Sequence, residues 1–181
     1  MRRTWCLMLL AAAGCGTAVG EVQDPPSPLR ERYGDKTIDI IKGATKVELY
    51  RLDPRDYSDP EMMKEGQEKR FGGYAVKGRG EDQGEKFAQK AAALLFNADN
   101  FEFKVAKGCA FLPGVGLRFW KGKETADLLL CYTCRELKVV APDPKAQGVK
   151  VPMAVFEHGR AAFVKLAKEM FPRDEEIQKL K

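Results

Sequence analysis

Three cysteines and one histidine are the residues of this chain whose types and spacing could do chemistry. Cys131 and Cys134 form a C-x-x-C motif, Cys109 lies 22 residues before it, and His158 lies 24 residues after it. Thiol–disulfide centres and zinc sites both use C-x-x-C spacing, and a cysteine near such a motif can form a structural disulfide instead. The sequence context has to decide among these three possibilities.

The redox interpretation needs a group that activates a thiol. A C-x-x-C motif gains a reactive thiolate when a helix N-terminus follows it. Here the motif follows a predicted strand at 125–133, and a further strand is predicted at 136–141. We therefore keep thiol-redox chemistry only as the alternative.

The metal and disulfide interpretations use the same cysteines. Cys109, Cys131, Cys134 and His158 would supply a Cys3His set, but only one pair has zinc-type spacing. A bridge from Cys109 to Cys131 or to Cys134 closes a loop of about 20–25 residues, which stabilises a fold more than a C-x-x-C bridge does. We therefore expect a disulfide from Cys109, and we predict no resident metal and no other cofactor. Zinc binding by these residues stays, beside thiol-redox chemistry, as the alternative function.

The composition removes several enzyme classes. The chain has 181 residues, of which 44% are hydrophobic, and a single histidine, so no site can use two histidine ligands from one chain. Its two serines, Ser27 and Ser58, lie in loop-like sequence, and it carries neither a phosphate-binding loop nor a nucleophile elbow. We expect a non-enzymatic protein. The net charge of +5 falls by two when Arg2 and Arg3 are removed with a signal peptide, so a nucleic-acid partner is not predicted.

The N-terminus is typical of an export signal. Arg2 and Arg3 precede an apolar run at 5–13, which is too short to span a bilayer. Residues 1–20 are predicted to be a signal peptide. It ends after Gly20, or it is cut at a lipobox-like sequence that makes Cys15 the lipidated first residue, and we favour the second.

The predicted domain organisation follows from this signal. Residues 21–35 contain three prolines and are predicted to be a Pro-rich tether, and residues 36–181 form a single domain. We expect an exported protein in the periplasm, outer membrane or cell surface of a bacterium. It would contact the membrane through the lipid on Cys15 and bind an unidentified protein or other partner in the envelope.

Hydrophobic periodicity predicts an α+β fold. Helices are predicted at 85–96 and 160–171, and consecutive strands lie between them, so we expect a mainly antiparallel sheet with two helices packed on one face. The helix residues predicted to pack on the sheet are Phe87, Leu94, Phe163 and Leu166.

One stretch resembles a known group of proteins. Cys109 is followed by Pro113-Gly114, then by Arg118-Phe119, and an Asp127-Leu-Leu-Leu strand leads into Cys131 and Cys134. This pattern is similar to that of small, uncharacterised exported bacterial proteins of the lipoprotein type. The resemblance implies a bacterial envelope origin and implies no activity.

Overall fold

A sheet of alternating strands forms the centre of the protein, which we describe from a computed structural model. Residues 22–55, 70–105, 107–140 and 153–181 are described. The predicted signal peptide, Cys15 and Ser58 lie outside these ranges. None of the helices in the described ranges is long and apolar enough to cross a bilayer.

Within the described ranges the sheet has eight strands: β1 Lys46–Leu52, β2 Arg70–Phe71, β3 Tyr74–Arg79, β4 Gln83–Gly84, β5 Val115–Lys121, β6 Glu124–Cys131, β7 Glu136–Val140 and β8 Ala154–Val155. Their order in the sheet is β2-β3-β1-β5-β6-β7-β8, and β4 pairs with β1 beside this path. The pairings among the described strands are antiparallel, as predicted.

Five α-helices accompany the sheet in the described part of the chain, so the predicted α+β class is confirmed, whereas the predicted number of two helices was too low. Their bounds are α1 Ser27–Tyr33, α2 Asp35–Lys42, α3 Glu85–Phe96, α4 Arg160–Met170 and α5 Glu175–Gln178, with a 3-10 turn at Ala98–Asn100. Apolar residues from all five helices and from one face of the sheet form the larger hydrophobic core. Phe163 and Leu166 are buried in this core, whereas Phe87 and Leu94 are only partly buried against it.

The predicted tether is wrong from residue 27 onward. Ser27–Tyr33 is helix α1, and its Leu29 and Tyr33 are buried in the larger core. Pro28 lies in the first turn of this helix, where no backbone N–H is required, so proline starts the helix instead of preventing it. The folded domain therefore includes residues that the proline content assigned to a linker.

The second face of the sheet carries a smaller core of Tyr50, Leu52, Phe71 and Leu129. The β2–β3 hairpin curls over this face, because a Cβ built on Gly72 would meet Leu129 at 2.9 Å. Leu129 is buried on this face, while its neighbours in β6, Leu128 and Leu130, are buried in the larger core on the other face. The sheet is therefore covered on both sides where β5, β6 and β7 meet.

Candidate thiol–carboxylate site

The C-x-x-C motif forms the turn between β6 and β7. Cys131 is the last residue of β6, and Glu136 is the first residue of β7 and its partner across the ladder. Arg135 has a φ of 59°, which lets so short a connection reverse the chain. The backbone N–H of Cys134 donates to Cys131 Sγ at 3.3 Å. The motif thus lies between strands, as expected, and no helix begins there.

A segment without helix or strand brings the third cysteine to this turn. We call residues 107–113 the crossing segment, because they run past the β6–β7 turn before β5 begins. Cys134 Sγ donates to the carbonyl of Ala110 at 2.9 Å. Farther along, Tyr74 Oη donates to the carbonyl of Phe111 at 3.1 Å, and the Phe111 ring packs on the smaller core. These contacts hold the crossing segment against the sheet.

The result is a group of ligand-type atoms from two separate parts of the chain. One sulfur each from Cys109 and Cys134 and a carboxylate oxygen of Glu136 all lie within 4.8 Å of one another. Cys131 joins them through its contact with the backbone of Cys134. We call these four residues the thiol–carboxylate cluster. Cys109 is exposed, whereas Cys131 and Cys134 are buried, and all three are free thiols in this structure.

Glu136 is a buried member of the cluster whose burial is not compensated by its contacts. It is 2% exposed, and within the described ranges its Oε2 has no hydrogen-bond partner. The cations nearby are engaged elsewhere, because Lys107 Nζ binds Glu157 Oε2 at 2.7 Å and Arg135 pairs with the same carboxylate. A buried carboxyl oxygen without a partner is costly. The side chain therefore lacks a partner that would compensate for its burial.

Burial also raises the pKa of two members of the cluster, Glu136 and Cys134. Loss of solvent raises the pKa of Glu136 above its ordinary value, and the charge of Lys107 opposes this effect without reversing it. Burial likewise raises the pKa of the Cys134 thiol, and its contacts with Cys109 and Cys131 raise it further. Both shifts favour the neutral forms of Glu136 and Cys134, so Cys134 is not an activated thiolate of the kind that redox catalysis needs.

The structure brings together some of the residues predicted from the sequence and leaves one apart. Cys109, Cys131 and Cys134 meet at one turn. His158 is exposed in the turn before α4 and is not among the residues grouped within 4.8 Å in the described parts of the chain. A disulfide from Cys109 stays a prediction.

Sequence reasoning missed Glu136. The available signal was the register of the hairpin, because a turn of four residues after Cys131 places residue 136 directly opposite that cysteine. The sequence pattern predicts a strand at 136–141 and gives residue 136 no role in a site.

No family model, curated protein or solved structure matches the chain. Its function is therefore inferred from the site alone.

Proposed function

We propose that the protein is a small exported, non-enzymatic domain that binds one thiophilic divalent metal ion, of the zinc class, at the thiol–carboxylate cluster. The observation that carries this proposal is Glu136, a buried side chain that has a carboxylate oxygen within 4.8 Å of two thiol sulfurs and whose Oε2 has no hydrogen-bond partner among the described residues. A cation at this point would supply the partner that the carboxylate lacks. Export and the lipid on Cys15 belong to the proposal on the strength of the N-terminal sequence.

The donor set favours zinc over other cations. Thiolates are soft ligands that suit zinc, whereas calcium and magnesium require oxygen donors. Zinc binds cysteine sulfur at about 2.3 Å and carboxylate oxygen at about 2.0–2.2 Å in tetrahedral sites. The ligand atoms of Cys109, Cys134 and Glu136 lie within 4.8 Å of one another, a limit somewhat longer than the distance between two ligand atoms of a tetrahedral zinc site. A small inward movement of the exposed Cys109 would bring its sulfur to that distance.

Cys131 supplies the fourth ligand in this proposal. Its sulfur accepts the N–H of Cys134, which keeps it at the same turn as Cys134 and Glu136. Four protein ligands make a closed site, which is the arrangement of structural zinc and leaves no position for substrate. The metal would join the crossing segment to the β6–β7 turn.

Metal analysis of the full chain, purified under reducing conditions without chelator, tests the proposal. We expect about one zinc per chain, and cobalt added to the metal-free protein should give sulfur-to-cobalt charge-transfer absorption. Glu136→Gln and Cys134→Ser should each lower zinc affinity by at least about tenfold, since each removes a ligand. His158→Ala is the matched control and should bind zinc like the wild type.

Two results would contradict the proposal. One is wild-type protein, reduced and folded, that binds neither zinc nor cobalt. The other is a loss of affinity in His158→Ala equal to that in Glu136→Gln, which would restore the Cys3His set. A stable disulfide that mild reductant leaves intact would favour the structural-disulfide interpretation instead.

A further inference from the structure

The four residues of the thiol–carboxylate cluster differ in their access to solvent. Cys109 is exposed on the crossing segment, whereas Cys131, Cys134 and Glu136 are buried. We propose that Cys109 is an oxidation site for hydroperoxides, and that its bridging to Cys134 expels the metal ion. The inference rests on the proposed metal-binding function, and it adds the chemical class of the oxidant that would release the metal ion from the site.

Geometry selects Cys134 as the thiol that completes the bridge. Its sulfur lies within 4.8 Å of Cys109 Sγ, and it already points along the crossing segment toward the carbonyl of Ala110. Cys131 Sγ is not among the atoms grouped within 4.8 Å in the described ranges, and it accepts the N–H of Cys134 inside the turn. A bond between Cys109 and Cys134 needs a sulfur separation of about 2.05 Å. Cys109 is exposed and lies in neither helix nor strand, so a local change at this residue supplies the approach while Ala110 and Phe111 keep their contacts with Cys134 and Tyr74.

The reaction balances with a hydroperoxide as the oxidant. The Cys109 thiolate attacks one peroxide oxygen, the O–O bond breaks, and hydroxide leaves while the sulfur becomes a sulfenic acid. Cys134, which is deprotonated when it serves as a metal ligand, then attacks the Cys109 sulfur, the S–O bond breaks, and a second hydroxide leaves. Two protons from solvent convert both hydroxides to water. Two cysteines have lost two electrons, and hydrogen peroxide has become two waters.

Loss of the metal follows from the loss of ligands. A disulfide no longer offers thiolate donors, so the bridge leaves only Cys131 and Glu136 at the site. Structural zinc sites need four ligands. Reduction of the disulfide by a dithiol restores both thiols and with them metal binding, so the release of the metal ion is reversible.

The experiment adds hydrogen peroxide to the zinc-loaded full chain and follows free zinc with a chromogenic chelator, thiols by titration, and the bridge by peptide mapping. We expect release of the bound zinc together with loss of two thiols and appearance of a Cys109–Cys134 peptide. Dithiothreitol should then restore zinc binding. Metal-loaded protein that keeps its zinc in peroxide, or that bridges Cys131 to Cys134, would overturn the inference and leave the metal site standing.

Two variants separate the roles of the cysteines. Cys109→Ser changes an exposed residue and is expected to fold. It removes one ligand, so it is loaded with excess zinc, and peroxide-driven release from this loaded form should slow by at least about tenfold. Cys131→Ser is the matched control, because it also removes one ligand but leaves both Cys109 and Cys134 in place. It should still form the Cys109–Cys134 bridge. Equal release rates in Cys109→Ser and wild type would also overturn the inference. Absence of zinc from the reduced wild type would instead refute the proposed function itself.

Discussion

Glu136 occupies a position that an aliphatic residue would fill without an electrostatic penalty. Replacing it by leucine removes a buried, unpartnered oxygen, so metal-free Glu136→Leu should be more stable than the wild type by about 1 kcal/mol. The same change should lower zinc affinity by at least about tenfold. Denaturant unfolding of the metal-free proteins and competitive zinc titration measure the two effects. A variant that binds zinc as tightly as the wild type would show that Glu136 is not a ligand.

Glu48 is a second buried carboxylate, and unlike Glu136 it has hydrogen-bond donors around it. Burial acts to raise the pKa of Glu48, but donors from Lys46 at 2.9 Å and Tyr50 at 2.7 Å contribute to lowering it from 4.5 to about 2. The depressed pKa means that Glu48 stabilises the fold above pH 4.5 and that this contribution is lost as the pH falls toward 2. It amounts to at most about 3 kcal/mol.

Glu48→Gln tests this pH dependence. The variant should be less stable than the wild type at pH 7, and the difference should shrink as the pH falls below 4.5. Glu175→Gln is the control, because that side chain is 87% exposed and should change stability little at either pH. A wild-type advantage over Glu48→Gln that is the same at pH 7 and pH 3 would contradict the argument.

At the scale of single elements, α1 decides where the folded domain begins. Leu29 is fully buried in the larger core, so Leu29→Ala should cost about 2–5 kcal/mol of unfolding free energy. Glu31→Ala alters an exposed position of the same helix and should have little effect. Thermal unfolding of both variants measures the difference. Equal stability of Leu29→Ala and wild type would mean that these residues form a tether after all.

The β2–β3 hairpin depends on a glycine beneath it. A Cβ on Gly116 would come within 2.5 Å of the Phe71 ring, which is a rigid neighbour. Gly116→Ala should therefore destabilise the protein by about 1–3 kcal/mol, and Phe71→Leu should partly rescue it by making room. Chemical denaturation of the single and double variants gives the coupling. Additive losses would show that the two residues do not meet.

Periodic elements were predictable from the sequence, and elements defined by burial were not. Helix α3 was predicted with its bounds because Phe87, Ala91 and Leu95 repeat at helical spacing. Helix α1 was missed because its prolines suggested a linker, although proline in a first turn is compatible with a helix. The three cysteines were identified, but Glu136 joins them only because the crossing segment covers its face of the sheet, and residue patterns do not predict which loop covers a face.

At the scale of the whole molecule, metal binding should appear as stability. A ligand that binds only the folded state stabilises it by about 2.7 kcal/mol when present at one hundred times its dissociation constant. For a domain of this size, zinc at that excess should raise the melting temperature of the reduced protein by roughly 5–10 °C. Calorimetry with zinc measures the shift, and magnesium, which thiolates bind poorly, should give none. Identical shifts with both ions would indicate nonspecific binding.

The docking of α1 also limits how far the domain can stand from a bilayer. Val22 packs against the larger core, and only seven residue steps separate it from Cys15. A fully extended chain advances at most about 3.6 Å per residue, so the segment between Cys15 and Val22 spans no more than about 25 Å. A lipid on Cys15 would therefore hold the end of the molecule where the chain enters α1 close to the headgroups. Any partner that such an anchored domain meets would have to be found at the membrane surface, because the domain has too little slack to search deeper into the compartment.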